Sequence, residues 1–453
     1  MQALSELGLA AAAADIRCGR LSSEALTRAC LERIAARESE VAAWAWLDPD
    51  AALERARRAD AEMAAGRAVG PLHGIPLGIK DIMHTRGIPT EMGSAPFAGF
   101  VPDASAAVVE RIEAAGAFVL GKTVTAELAY LTPGKTRNPW NPAHTPGGSS
   151  SGSAAALAAG MVPGALGTQT NGSVIRPAAF CGVVGFKPSA GLIPRAGILP
   201  FSSTLDQVGV FARRVEDAGL LAAVLVGHDP RDAASIEPGG IAAGMAEPEP
   251  LARPPRLLAV RSPVWEQAEA AQQRMFADNL AALRHAGADV VERELPEPFA
   301  EAHAAHRTIM AVEAAQELKD LQSRRRKLLS AALNQLIDAG LGIAPAAYAA
   351  ALARRVELTQ ALAAALDGAD AIATPPAAGE APATLEHTGN PAFCTIWSLC
   401  GVPALTLPVG LGPRRLPLGL QLVGGYLEDP ALLATAAWCE RALEPRGSGG
   451  HGG

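Results

Sequence analysis

The sequence predicts an α/β fold in which a sheet is covered by helices. Three observations point there: alanine-rich stretches with helical spacing, short apolar runs of strand length, and glycine and proline punctuation between them. A hydrophobic content of 49% over 453 residues is ample for a large core. Length alone suggests about two or three domains, although larger single α/β domains are well known.

Residues 1 to 66 read as helical. Ser22 or Ser23 caps a helix whose Leu26, Cys30 and Ile34 recur at i, i+4 and i+8, and 53 to 65 form a second, charged helix. A turn from Gly70 to Pro76 leads into Leu77-Gly78-Ile79-Lys80-Asp81, a buried strand ending in a lysine. Residues 103 to 115 form an amphipathic helix and Ala117 to Leu120 a strand. Asn138 to His144 are broken by prolines, Ala154 to Met161 read as a tightly packed buried helix, and a further helix starts near Ser173. Residues 228 to 256, rich in Pro, Gly and Ala, look like a surface linker. A strand at 257 to 262, a helix at 266 to 285, long helices over 301 to 335 and an alanine-rich helix at 346 to 366 follow. Short strands at 370 to 374, 402 to 408 and 417 to 423 precede a closing helix at 430 to 443, and 446 to 453 read as a disordered tail.

Composition excludes several functions. The net charge of −7, from 39 basic and 46 acidic residues, argues against nucleic acid as a ligand. The basic run Arg324 to Lys327 reads as a solvated helix face. No apolar run reaches the roughly 18 residues of a membrane span. Six scattered cysteines without a C-x-x-C pair suit a reducing compartment, and no secretory signal opens the chain, so the cytoplasm is the default. Gly116 to Thr123 matches the phosphate-loop pattern G-x-x-x-x-G-K-[ST], but its middle positions read as a strand preceded by a helix, the reverse of a phosphate cradle. His303 and His306 lack a third convergent ligand, so neither a metal nor a cofactor is expected.

The chemistry concentrates in two Gly/Ser clusters, Thr145-Pro-Gly-Gly-Ser149-Ser-Ser-Gly-Ser153 and Gly167-Thr-Gln-Thr-Asn-Gly-Ser173, flanking the small-residue helix. Consecutive N–H groups in such loops can converge on an anion. His73, His84 and His144 lie in turns without a carboxylate partner, so a hydroxyl nucleophile needs another base. Lys80 is the available one: either it is a desolvated base, or its head reaches water or pairs with Asp81. Arg176 similarly either holds a substrate carboxylate or makes a structural ion pair.

From about residue 20 to 440 the chain resembles the amidase signature family. The resemblance is strongest over Gly74 to Asp81, Ala115 to Thr123, Asn138 to Ser153, Gly167 to Pro188 and Gly401 to Gly424. It implies one large α/β domain, 67–445, with a mixed central sheet covered on both faces and a variable helical insertion near 228–366. The helical segment 1–66 packs on that core. It implies further that Ser173 is the acyl-forming nucleophile, and that Ser149, following a cis bond from Gly148, bridges it to an unprotonated Lys80. Backbone N–H groups of Thr170, Asn171, Gly172 and Ser173 would hold the oxyanion. Gly148, Gln169, Arg176, Tyr130, Leu131 and Arg307 would line the substrate site, beside His306. A homodimer is common in the family.

Three departures matter. Many members have Asp at the place of Gln169 and Gly at the place of Asn171, whose side chain is expected to narrow or reshape the oxyanion loop. Arg176 stands three residues after the nucleophile instead of two, which on a helix turns it by about 100°. The Ser-Val-Ile-Arg-Pro run is similar to malonamidase-type members, where the arginine binds a substrate carboxylate. The expected activity is hydrolysis of a small carboxylate-bearing amide, with no nucleic acid or membrane partner. The alternatives are the glutaminase subunit of a tRNA-dependent amidotransferase, a degenerate scaffold, and a nucleotide hydrolase, the last rejected on the strand argument above.

Overall fold

A computed structural model describes residues 4–67 and 70–444. Its strands, in chain order, are β1 (Trp44–Leu47), β2 (Pro76–Lys80), β3 (Phe118–Thr123), β4 (Ala165–Gln169), β5 (Val184–Lys187), β6 (Gln207–Ala212), β7 (Arg256–Arg261), β8 (Asp289–Glu294), β9 (Ala371–Thr374), β10 (Ala404–Leu411) and β11 (Pro417–Val423). They form one 11-stranded sheet ordered β1-β3-β2-β4-β6-β5-β10-β11-β9-β7-β8. β3, β2 and β4 run parallel, as do β9, β7 and β8, while the steps from β4 through β6, β5, β10 and β11 to β9 are antiparallel. The expected mixed α/β sheet is therefore present. All residues of β2 to β6, β9 and β11 are buried. Because successive side chains on a strand point to opposite faces, that burial requires cover on both faces.

Two strand ends set up the site. Parallel pairing of Gly78 with Ala165 and Ile79 with Leu166 brings the C-terminal ends of β2 and β4 side by side, each followed by a loop. The helix Ser151–Ala158, buried from Ser151 to Leu157 and made mostly of small residues, packs across these strands. Its Gly152 has no room for a side chain: a Cβ would lie 2.3 Å from Ala43 O and from Val124 N. That close approach holds the preceding Gly/Ser loop over the strand ends.

Several elements differ from the sequence expectation. Residues 1 to 66 are not wholly helical, since β1 pairs antiparallel with β3 at the sheet edge. Four residues are too short for alternation to register. The stretch 228–256 contains a helix, Ile241–Ala246, which buries Met245 against neighbouring helices. The region 228–366 supplies β7 and β8 to the sheet as well as helices. The phosphate-loop look-alike is the buried strand β3, and Lys122 Nζ is engaged by Met83 O (2.8 Å), Thr90 Oγ1 (2.6 Å) and Asp81 (3.4 Å). The expected tail at 446–453 lies outside the described residues. Among the described residues no single helix is long and apolar enough to cross a membrane.

Candidate active site

Lys80 is the last residue of β2 and is fully buried. Its Nζ lies 2.8 Å from Ser149 Oγ and 2.7 Å from Thr168 Oγ1. It neither reaches water nor pairs with Asp81, whose carboxylate belongs to Lys122. Burial pulls the amine down to about 7, with the charge of Asp206 working in the opposite direction. Both partners are hydroxyls, and a hydroxyl can donate to the lone pair of a neutral amine as well as accept from its N–H. Ser149 is buried, and its peptide bond to Gly148 is cis.

Ser173 sits in the loop after β4, half-buried, and among the described residues no group hydrogen-bonds its hydroxyl. The amide N–H groups of Asn171, Gly172 and Ser173 likewise donate to no acceptor among the described residues. Free donors in consecutive residues are the kind of group that can hold an oxyanion. Gly172 is required by contact, since a Cβ there would meet Pro391 Cβ at 2.9 Å.

The loop is held from behind. Gln169, expected at the substrate, instead spends its amide on the scaffold: Oε1 accepts from the N–H groups of Val174 (2.8 Å) and Ile175 (3.0 Å), and Nε2 donates to Ser398 Oγ (3.0 Å). The helix expected to start at Ser173 runs Ile175–Cys181, and Gln169 takes its first N–H groups. The dipole of that helix end is thus met by Gln169, and the anion donors belong to the loop alone. Asn171 does not narrow the loop either. Its Oδ1 accepts from Thr395 Oγ1 at 2.8 Å, turning the side chain towards the helix Ala392–Cys400. Thr170 donates to Asp206 Oδ1 at 2.6 Å, and its carbonyl accepts from His306 Nε2 at 3.0 Å. Burial holds the His306 ring neutral, pulling it down to about 4.

Arg176 is buried and makes no ion pair among the described residues. Its Nη2 donates to Gly148 O (2.7 Å) and Thr388 Oγ1 (3.1 Å), while Nε and Nη1 have no partner. Burial lowers even this guanidinium to about 10. Gly148, whose Cβ would lie 2.6 Å from Thr388 Cγ2, thus joins the cluster through its carbonyl. The other expected wall residues divide. Tyr130 stacks on Phe201, ring centroids 5.6 Å apart, and it is Phe201 that lines a cavity of about 190 Å³. Leu131 is exposed, and so is Arg307: on the helix Ala302–Arg325 the inward position is taken by His306, and the next residue turns about 100° away. The cavity is lined by Thr168, Thr170 and Asp206, behind the loop that carries Ser173.

Sequence reasoning missed Thr168, Asp206, Thr388, Thr395 and Ser398. Thr168 stood inside the second Gly/Ser cluster, where its side chain could have been noticed. The others come from segments without a motif and reach the loop only through the fold. Among the described residues no cluster of metal-ligating side chains occurs.

Comparison with known proteins agrees with this architecture. The sequence profile of the amidase family matches residues 25–433. One component chain of the glutamyl-tRNA(Gln) amidotransferase of Acidothermus cellulolyticus is 36% identical, over 96% of this chain and 94% of that protein. An amidase crystal structure superposes with a TM-score of 0.85 at 32% identity, over 96% of this chain and 100% of that one. Native peptide amidase from Stenotrophomonas maltophilia does so with a TM-score of 0.83 at 33% identity, over 97% of each chain.

Proposed function

The chain belongs to the amidase family, enzymes acting on amide C–N bonds, and on that premise we propose that it hydrolyses a carboxylic amide bearing a nearby carboxylate, through an acyl-enzyme on Ser173. Neutral Lys80 takes the Ser149 proton while Ser149 takes that of Ser173, and the Ser173 oxygen attacks the amide carbon. The carbonyl oxygen, now negative, accepts from the N–H groups of Asn171, Gly172 and Ser173, with Thr170 completing the loop. The proton returns through Ser149 to the leaving nitrogen, ammonia or an amine departs, and water releases the acid by the same relay.

The observation that carries the substrate class is Arg176, a buried guanidinium with two unpartnered N–H-bearing nitrogens beside Gly148. A buried cation without a counter-charge is costly, and a bidentate carboxylate supplies both the charge and the acceptors. The likeness of the Ser-Val-Ile-Arg-Pro run to malonamidase-type members fits the same class.

A second reading is favoured by the curated relatives: the chain is the glutamine-hydrolysing component of a tRNA-dependent amidotransferase. Glutamine is itself an amide bearing a carboxylate, so Arg176 serves both readings. They differ in the partner. The amidotransferase component passes ammonia to a second chain that works on aminoacyl-tRNA, whereas the stand-alone enzyme works free in the cytoplasm, as a monomer or homodimer.

Ammonia release across paired amides with and without a carboxylate, glutamine included, tests the proposal on wild type, Ser173→Ala and Arg176→Ala. Loss of all activity in Ser173→Ala and loss of carboxylate preference in Arg176→Ala are expected. An active Ser173→Ala protein defeats the acyl-enzyme. Glutamine as the preferred substrate, with release stimulated by a co-purifying chain, selects the second reading.

A further inference from the structure

Lys80 gains a proton during attack and becomes an ammonium in a buried site with no carboxylate in ion-pair contact among the described residues. The charged groups around it are otherwise committed. Lys122, one strand over on β3, pairs with Asp81, and the direct partners Ser149 and Thr168 are neutral. Asp206, at the entry to β6, stands apart from these. Its Oδ1 accepts from Thr170 Oγ1 (2.6 Å), and its Oδ2 accepts from the N–H groups of Phe201 and Ser202, each at 2.8 Å. It lines the same cavity as Thr168, the second partner of Lys80. No cation on that wall makes an ion pair with its carboxylate among the described residues, although the Arg195 charge favours its ionised form. Arg195 pairs with Asp232 at 3.0 Å and gives Asp206 only a bond to its backbone carbonyl, and Arg231 pairs with Asp229 and Glu110. Glu313 faces the same loop but is bound by Ser202, Thr204 and Tyr348, and Glu317 on the cavity wall is exposed.

We propose that Asp206 is a positioning residue with two tasks: it fixes Thr170, and with it the oxyanion loop, and it serves as the counter-charge, held at one remove, for the Lys80 ammonium. Burial raises the Asp206 carboxyl, and its three donors act against that rise by favouring the carboxylate. Distance is part of the function. Direct contact would keep Lys80 protonated at neutral pH, whereas a remote charge stabilises the ammonium while leaving the neutral amine accessible. Its field at Lys80 acts in the direction this requires.

The inference rests on the Ser173 acyl-enzyme, and a fluorophosphonate probe tests the two separately without knowledge of the substrate. Ser173 Oγ forms a bond to phosphorus, fluoride leaves, and the serine proton passes to Lys80, so the labelling rate against pH reports the neutral amine. If wild type is not labelled at Ser173, the underlying reading fails. If it is, Asp206→Asn is expected to move the acid limb of the profile to lower pH by roughly one unit, because a removed negative charge disfavours the ammonium. Thr170→Val keeps the charge and loses the hydroxyl, so it is expected to slow labelling about tenfold with the limb in place. An unmoved limb in folded Asp206→Asn overturns the counter-charge, and wild-type rates in Thr170→Val overturn the loop assignment. Should Asp206→Asn fail to fold, Asp206→Glu against Asp206→Ser makes the same comparison of charge present and charge absent.

Discussion

Lys80 Nζ and Ser149 Oγ stand 2.8 Å apart in a buried site, and the other partner of the amine is a second hydroxyl, Thr168 Oγ1. That pairing separates Lys80 from the two other buried lysines. Lys122 has a carboxylate, and Lys187 donates to Gln207 Oε1, Pro188 O and Val402 O, acceptors that offer no proton. Of the three, only Lys80 has hydroxyls as its sole partners, without a carboxylate or carbonyl beside them. Its amine, pulled down to about 7, must be neutral to accept one. Activity is therefore expected to rise with pH through an acid limb near 7 in kcat/KM, and a limb near the usual lysine value would contradict the assignment.

The same shift predicts a stability signature. An unfolded lysine holds its proton up to about pH 10.4, whereas Lys80 in the folded chain releases it near 7. Between these values the unfolded state binds more protons, so the Lys80 contribution to stability rises with pH in that window. Lys80→Met removes that contribution. It should abolish turnover while reducing the pH slope of unfolding free energy between 7 and 10 by about 1.4 kcal/mol per unit. Urea unfolding at three pH values measures this, and an unchanged slope would show that Lys80 stays protonated.

The three residues of the proposed relay stood out in the sequence because Lys80, Ser149 and Ser173 lie in Gly/Ser-rich or strand-end stretches whose local pattern is unusual. Gln169 misled for a physical reason. Its neighbours face the reacting centre, but a side chain at the last position of a buried strand can turn inward, and only the fold shows Ser398 waiting there. Arg307 misled by one helical step. Asp206, Thr388 and Thr395 carried no signal, because each meets the loop across more than 30 residues of chain.

Gln169 ties the loop to two elements, so its loss should cost structure before chemistry. Gln169→Leu leaves the N–H groups of Val174 and Ile175 without their acceptor and removes the donor to Ser398 Oγ, which keeps its own bond to the Asn171 carbonyl. Each unsatisfied buried group costs about 1–3 kcal/mol. A fall in unfolding free energy of several kcal/mol is expected together with a lower kcat, because Ser398 also holds the Asn171 carbonyl at 2.5 Å. Wild-type stability in a variant of reduced activity would instead put Gln169 on the substrate.

Arg176 should show the opposite balance, destabilising the free protein and stabilising the bound one. Its Nε and Nη1 are buried without acceptors, so the free enzyme carries an uncompensated cation. Arg176→Met fills much of the same volume without the charge, and removing an unpaired buried charge stabilises a fold. A higher Tm than wild type is therefore expected in the absence of ligand. A short dicarboxylate such as malonate should reverse the order. It binds wild type through the two free nitrogens, and ligand at 100 times Kd adds about 2.7 kcal/mol of stability. Arg176→Met should gain nothing from malonate, and neither protein should gain from the uncharged diamide at the same concentration. Thermal melts across a malonate titration decide it. If malonate stabilises both proteins equally, the carboxylate sits elsewhere and Arg176 serves only to hold Gly148 and Thr388.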